Sequence, residues 1–201
     1  MSILLLSGGL DSLVLLAKEC SEGKQPICLS FDYGQRHIRE LLSGDLIAKR
    51  YQVERHVCKI PESVLAGTPL TREGDIPKGS NYDDPIQLLT VVPNRNMLML
   101  SIAGAFAVRN KVKSIIYAAH EGDAAIYPDC RKIFVEAVSR AMFLSCGVTV
   151  ESPFISMTKK DIVGLGKQLL VPFELSWSCY EGGHSPCGEC GACKERIEAG
   201  V

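Results

Sequence analysis

The stretch Ile3-Leu4-Leu5-Leu6-Ser7-Gly8-Gly9-Leu10-Asp11-Ser12 leaves few folds open to this chain. An apolar run of strand length meets a Gly-Gly turn, which leads directly into Leu13-Val14-Leu15-Leu16-Ala17, a segment that reads as a helix. Strand, tight turn and helix start put backbone N–H groups and small hydroxyls at the positive end of a helix dipole, a geometry that suits phosphate. Adjacent glycines let the main chain approach an anion without Cβ in the way. Ser7 and Ser12 add hydroxyl donors, whereas Asp11 would repel phosphate directly. It is expected either to cap the helix or to hold a magnesium ion shared with the phosphates.

Downstream, strand and helix patterns alternate. Residues 26–31 and 114–119 read as buried strands, 53–58 and 148–151 as shorter ones. Helices are expected over 35–51, from Pro93 through Ser101-Ile102-Ala103-Gly104-Ala105, and over 131–145. Another opens at Thr158, with Asp161 three residues on approximating a capping box. Residues 61–90, rich in Gly, Pro and Asp without sustained period, read as a long loop or lid. The alternation predicts an α/β fold with a doubly wound parallel sheet, whose ligands sit outside the carboxyl ends of the strands. Ser7, Asp32 and the segment 120–129 should therefore converge. The division expected is an α/β domain over 1–173 and a small tail over 174–201.

Composition narrows the function classes. With 201 residues, 46% of them hydrophobic, the chain can build one sizeable core. A formal net charge of -1 offers no global basic field for nucleic acid. No apolar run is long enough to span a bilayer. Nine cysteines, an odd number, favour a reducing cytoplasm and metal-bound thiolates over a disulfide scaffold. Cys179, Cys187, Cys190 and Cys193 crowd into the tail among glycines that permit tight turns. Four thiolates close a tetrahedral zinc (Zn2+) shell with no open position, which makes the site structural. His184 in place of one thiol, a disulfide and an iron–sulfur cluster are the alternatives.

The loop lacks the lysine of a Walker P-loop and resembles the SGGxDS signature of the PP-loop ATP pyrophosphatases, whose fold is that of the adenine nucleotide alpha hydrolases. Four further segments follow in order: Asp32-Tyr33-Gly34-Gln35-Arg36-His37, Val92-Pro93-Asn94-Arg95-Asn96, Tyr127-Pro128-Asp129-Cys130-Arg131 and the four-cysteine tail. Together they make the whole chain similar to the 7-cyano-7-deazaguanine synthase family. That resemblance implies an ATP-dependent ligase, commonly a homodimer, that converts 7-carboxy-7-deazaguanine and ammonia to the nitrile preQ0 of queuosine biosynthesis, with ATP, Mg2+ and zinc bound.

It implies that Leu6, Ser7, Gly8, Gly9, Leu10, Asp11, Ser12, Arg95 and Asn96 bind the nucleotide. Asp11, Ser12, Arg36, Arg95 and Lys159 would serve catalysis, the cations by offsetting charge that grows on the phosphates. Tyr33, Tyr127, Pro128, Asp129 and Cys130 would bind the deazaguanine, Asp129 by accepting from two adjacent donors of its guanine-like edge. Plainer readings stand beside these. Arg36 and Arg95 could be solvated, one of Lys159 and Lys160 only a surface charge, Asn96 a turn residue, and Asp129 the N-cap of the helix that follows it. One stretch departs from the family pattern. Ala119-His120-Glu121-Gly122-Asp123-Ala124-Ala125-Ile126 stands where many members carry an Asn and an aromatic-Ser-Gly run. It leaves as alternatives an enzyme that stops at the amide or takes another amine. A tRNA-modifying PP-loop enzyme is a further alternative, for which a chain of this charge offers no basic surface.

Overall fold

The computed structural model describes residues 1–79 and 84–201. Five strands, β1 (Ile3–Leu5), β2 (Ile27–Asp32), β3 (Arg55–Lys59), β4 (Ser114–Ile116) and β5 (Thr149–Glu151), form one sheet in the order β3-β2-β1-β4-β5. Every pairing is parallel, with Ile3 opposite both Ile27 and Ile115. The order reverses direction at β1, so the crevice of this doubly wound sheet lies between the ends of β1 and β4.

Among the described residues, seven helices connect or follow the strands: α1 (Leu10–Ser21), α2 (Arg39–Tyr51), α3 (Glu62–Leu65), α4 (Arg95–Arg109), α5 (Lys132–Cys146), α6 (Lys159–Gln168) and α7 (Gly191–Glu198). Side chains alternate across a strand, and β1 shows the result. Ile3 and Leu5 face the core shared with α4 and α5, whereas Leu4 and Leu6 face the core shared with α1, α2 and α6. Both faces are covered, which is why the strands read as continuous apolar runs.

Several expected boundaries move, each for a local reason. The second helix begins at Arg39 and not at residue 35. Gln35 is buried, its amide donating to Phe31 O at 3.0 Å and accepting from Tyr33 N at 2.9 Å, so the chain is held in a turn there. The strand expected over 114–119 stops at Ile116. Past Glu151 its neighbour runs into Ser152-Pro153, and proline has no N–H to give a ladder. The Ser152 hydroxyl donates instead to the carbonyls of Tyr117 and Ala119, at 2.9 and 2.7 Å. The fourth helix starts at Arg95, because Asn94 adopts a left-handed conformation that its short polar side chain tolerates.

Residues 61–90 are not an open loop where they are described; positions 80–83 lie outside the described residues. They contain α3 and the 3₁₀ turns Pro69–Thr71 and Pro85–Thr90. Leu65, Leu70, Ile76, Gln87 and Thr90 are buried. This strap is tied to the tail at Lys78 and Gly79. Lys78 bridges to Cys190, Gly79 N donates to Glu189 O at 3.1 Å, and Lys194 Nζ donates to Gly79 O at 2.6 Å.

Candidate active site

A cavity of about 250 Å³ opens at the carboxyl end of the sheet, between the ends of β1, β2 and β4. Of the residues singled out from the sequence, Leu6, Ser7, Gly9, Leu10, Asp11, Ser12, Tyr33, Arg95, Asn96, Tyr127, Cys130 and Lys159 line it. Arg36, Pro128 and Asp129 are not among its lining residues, nor is Gly8.

The turn after β1 is built as its sequence requires. Gly8 has φ +97°, and a Cβ there would lie 2.0 Å from Glu40 O, so α2 packs directly on a glycine backbone. Gly9 N donates to Ser7 Oγ at 3.0 Å, and Ser12 Oγ donates to Gly9 O at 3.0 Å. The two hydroxyls lie 3.1 Å apart. Asp11 does not cap α1, whose N-cap is Gly9 without a side-chain cap. Its carboxylate instead accepts from Lys159 Nζ at 2.8 and 2.7 Å.

Lys159 also reaches Glu195 at 3.1 Å, so one ammonium joins the first helix to the last. Lys160 is exposed, so of the adjacent pair only Lys159 lines the cavity. Burial alone would raise the Asp11 carboxyl, but Lys159 and then His120 hold it below the usual carboxylate range. Burial would lower Lys159, yet Asp11, Glu195 and Asp123 raise it. Glu195 is pushed up to about 7, chiefly by burial, with Lys159 opposing and Asp11 and Asp123 adding to it.

The departing segment 119–126 ends up beside this cluster. His120 is fully buried at the start of the 3₁₀ turn Glu121–Ala125. Its Nδ1 accepts from Gly122 N at 3.1 Å, and its Nε2 lies 3.5 Å from Asp123 Oδ1 and 3.9 Å from Asp11 Oδ2. Burial lowers its pKa, with Asp123 opposing.

On the other side, Arg95 Nη1 donates to Tyr33 Oη at 3.4 Å. Tyr127 Oη lies 2.8 Å from Thr90 Oγ1 and 3.4 Å from Tyr180 Oη. Asn96 Nδ2 donates to Cys130 Sγ at 3.3 Å. Burial, followed by Asp123 and Asp129, pushes the Cys130 thiol well above its ordinary range, the opposite of an activated nucleophile.

Two expected site residues face elsewhere. Arg36 donates to Gly74 O of the strap at 3.1 Å and lies 3.8 Å from Glu181 of the tail, because the turn held by Gln35 directs it away from the crevice. Asp129 Oδ2 accepts from Asn96 N at 3.1 Å. It therefore serves the first turn of α4, whose own N-cap makes no side-chain bond, and not the start of α5.

Cavity residues to which sequence reasoning gave no role are His37 and Glu40 before and within α2, Tyr117 and Asp123 after β4, and Trp177, Tyr180, Glu195 and Arg196 from the tail. Two of them carried a signal: His37 as the last residue of the Asp32–His37 motif, and Asp123 within the departing stretch 119–126.

The tail brings its four thiols together. The sulfur atoms of Cys179, Cys187, Cys190 and Cys193 all lie within 4.8 Å of one another, close enough for small side-chain adjustments to close a tetrahedral shell with metal–sulfur bonds of about 2.3 Å. His184 is exposed and outside this group. Backbone N–H groups of Cys187 and Cys190 donate to Cys179 Sγ and Cys187 Sγ, each at 3.3 Å. The Cys190 thiol and the Cys187 N–H, against burial, hold Cys179 below the usual thiol range, while the Cys179 sulfur and then burial push Cys190 up.

Comparison with known proteins places this geometry. NMN synthetase from Francisella tularensis superposes with a TM-score of 0.55 at 16% identity, over 90% of this chain and 66% of that one. A 4-thiouridine synthetase solved with RNA and bound ATP gives 0.55 at 16%, over 98% of this chain and 49% of that one. These likenesses show a shared fold of the PP-loop type. In sequence, the 7-cyano-7-deazaguanine synthase of Archaeoglobus fulgidus is 47% identical, over 98% of this chain and 84% of its own length. The 7-cyano-7-deazaguanine synthase 1 of Colwellia psychrerythraea is 41% identical, over 98% and 92%. The family described as "Queuosine biosynthesis protein QueC" matches residues 1–200, and with relatives this similar over this much of its length the chain belongs to that family.

Proposed function

We propose that this protein is an ATP-dependent C–N ligase that converts 7-carboxy-7-deazaguanine and ammonia to 7-cyano-7-deazaguanine. The observation that carries this reading is the convergence on one cavity of the Ser7–Ser12 turn, Arg95 and Lys159 with Tyr127 and Cys130. A carboxylate is a poor electrophile, so it must first attack the α-phosphate of ATP to become an acyl adenylate. ATP, when bound, supplies that activation.

The chain's residues supply the setting. Gly9 N–H, now answered by Ser7, and the Ser7 and Ser12 hydroxyls are the donors that would take phosphate oxygens. Lys159 and Arg95 would offset the growing charge. Asp11, beside Lys159, is the carboxylate that Mg2+ carried with the nucleotide would meet. Tyr33, Tyr127 and Cys130 would wall the deazaguanine. Asp129 and Pro128 would act from behind that wall, and Arg36 through the strap. Zinc would occupy the four thiols and hold residues 174–201 as a small unit packed on the α/β domain of 1–173.

A homodimer in the cytoplasm completes the proposal. Exposed Ile133, Phe143 and Leu144 of α5 are apolar side chains that a second copy would cover. No helix among the described residues is long and apolar enough to cross a membrane. The test is mass spectrometry of the product formed from 7-carboxy-7-deazaguanine, ATP and ammonium, with pyrophosphate release followed in parallel. Nitrile with pyrophosphate is expected; amide as the end product, or no turnover, overturns the reading.

A further inference from the structure

Two demands fall on Lys159 at once. Asp11 holds its ammonium at 2.8 and 2.7 Å, yet Asp11 is also the carboxylate that the nucleotide's magnesium ion would meet. A divalent cation arriving at Asp11 repels an ammonium on the same carboxylate. Lysine carries its charge on a flexible four-carbon stem, so a displaced Lys159 needs a second anchor to stay in the crevice. Glu195 is placed to be that anchor. Its Oε2 lies 3.1 Å from Lys159 Nζ, and its side chain is only 15% exposed.

The chain holds Glu195 from both sides. Cys193, two residues before it, belongs to the buried core. Arg196, the next residue, donates from Nη1 to Ser176 Oγ and from Nη2 to Phe173 O, each at 2.8 Å. That guanidinium is committed to residues 173–176 and does not compete with Lys159 for the carboxylate. The space around Glu195 is equally defined. A Cβ on Gly122 would lie 3.4 Å from Glu195 Oε1, so the 3₁₀ turn closes directly on the carboxylate. His120 Nε2 lies 4.0 Å from the same oxygen. Because His120 Nδ1 accepts from Gly122 N, the ring turns its N–H toward Glu195 and not a lone pair. Each oxygen of Glu195 therefore faces a donor, Lys159 at Oε2 and His120 at Oε1.

We propose that Glu195 is the positioning residue for Lys159; this rests on the nucleotide half of the ligase reading above. While the nucleotide's cation takes up Asp11, Glu195 keeps the ammonium on the cavity wall, where it meets the phosphates. Glu195 acts through Lys159, and no bond is made or broken in this role.

Magnesium-ATP affinity, measured by titration calorimetry, tests this. A carboxylate that acted only through its charge would repel ATP, so its loss would tighten binding. The proposal gives the opposite sign. Glu195→Ala should weaken magnesium-ATP by roughly 10-fold, the size of coupling that neighbouring residues show. Glu195→Gln should weaken it less, because its amide oxygen can still accept from Lys159. In a Lys159→Met background Glu195→Ala should no longer weaken ATP, since nothing is left to position. Equal weakening in both backgrounds marks a structural role of α7 and overturns the proposal, as does unchanged or tighter binding in Glu195→Ala alone. Bound metal, followed by elemental analysis, should stay at the wild-type level. Its loss together with ATP affinity would make Glu195 a residue of the tail's fold and overturn the proposal too. Calorimetry needs no turnover, so the ligase reading fails separately. A wild-type protein that binds magnesium-ATP but forms no nitrile removes that reading and leaves the role of Glu195 standing, whereas one that binds no ATP removes both.

Discussion

At the scale of single residues, the Asp11–Lys159 pair decides most. A carboxyl held below its unfolded value of 3.8 stabilises the fold above that pH, and the contribution is lost as pH falls through the folded value. Lys159, raised above 10.5, contributes fully below that pH and loses its contribution only as pH rises past the folded value. In Lys159→Met the burial of Asp11 is no longer offset, its carboxyl moves above 3.8, and the fold is penalised increasingly as pH rises through that interval. Urea melts should show a gap from wild type that is small at pH 4 and about 2 kcal/mol at pH 7, between the worth of surface and buried pairs. A gap independent of pH would contradict this account. Asp129 poses a different question, since Asn96 N–H already occupies one of its oxygens. Asp129→Asn should weaken the deazaguanine by up to roughly 10⁴-fold while ATP binding survives, if the carboxylate reads the guanine-like edge. Equal weakening of both ligands in titration calorimetry would leave it as the cap of α4 alone. Lys159 was legible only through the family resemblance, by its match to a lysine at the start of a late helix, and local pattern did not separate it from Lys160. Glu195 was not, because nothing in Lys194-Glu195-Arg196 distinguishes it from a solvated charge until the fold sets it beside Lys159.

At the scale of elements, the strand–turn–helix at residues 3–21 and the capping box of α6 could be read directly, because each is local chemistry. Thr158 Oγ1 accepts from Asp161 N at 3.2 Å, and Asp161 Oδ2 accepts from Thr158 N at 2.9 Å. Thr158→Ala should cost about 1 kcal/mol. For a chain of this size that lowers Tm by about 2–4 °C, and it should weaken ATP binding because Lys159 is the first residue of that helix. An unchanged melting curve would mean that packing alone places α6. What the sequence hid were ends set by distant partners. The start of α2 depends on a Gln35 side chain turned back on Phe31, and the end of β4 on a serine in the neighbouring strand's exit. Neither leaves a periodic signal. The strap at 61–90 was hidden for the same reason: its buried residues are spaced irregularly, and its ties to the tail run through Lys78 and Gly79.

At the scale of the whole molecule, the tail is part of the site and more than an appendage. Cys179, Cys190 and Cys193 belong to the same buried cluster as Ile3 and Ile115, and Trp177 N donates to Gly8 O at 2.9 Å behind the turn. Cys190→Ser should therefore lower bound metal, measured by elemental analysis, and soluble yield together, and loosen the strap at Lys78 and Gly79. Metal-free protein with full thermal stability would contradict this. The Asp11–Lys159 bond joins residues 148 positions apart. Closing so long a loop costs entropy that few early contacts offset, so this pair forms late on the way to the native state. If it is absent from the transition state, it bears on how fast the protein comes apart and not on how fast it assembles. The charge pair is therefore expected to act as a kinetic lock: in stopped-flow measurements Lys159→Met should speed unfolding while leaving the refolding rate nearly untouched, and an equal fall in the refolding rate would contradict this.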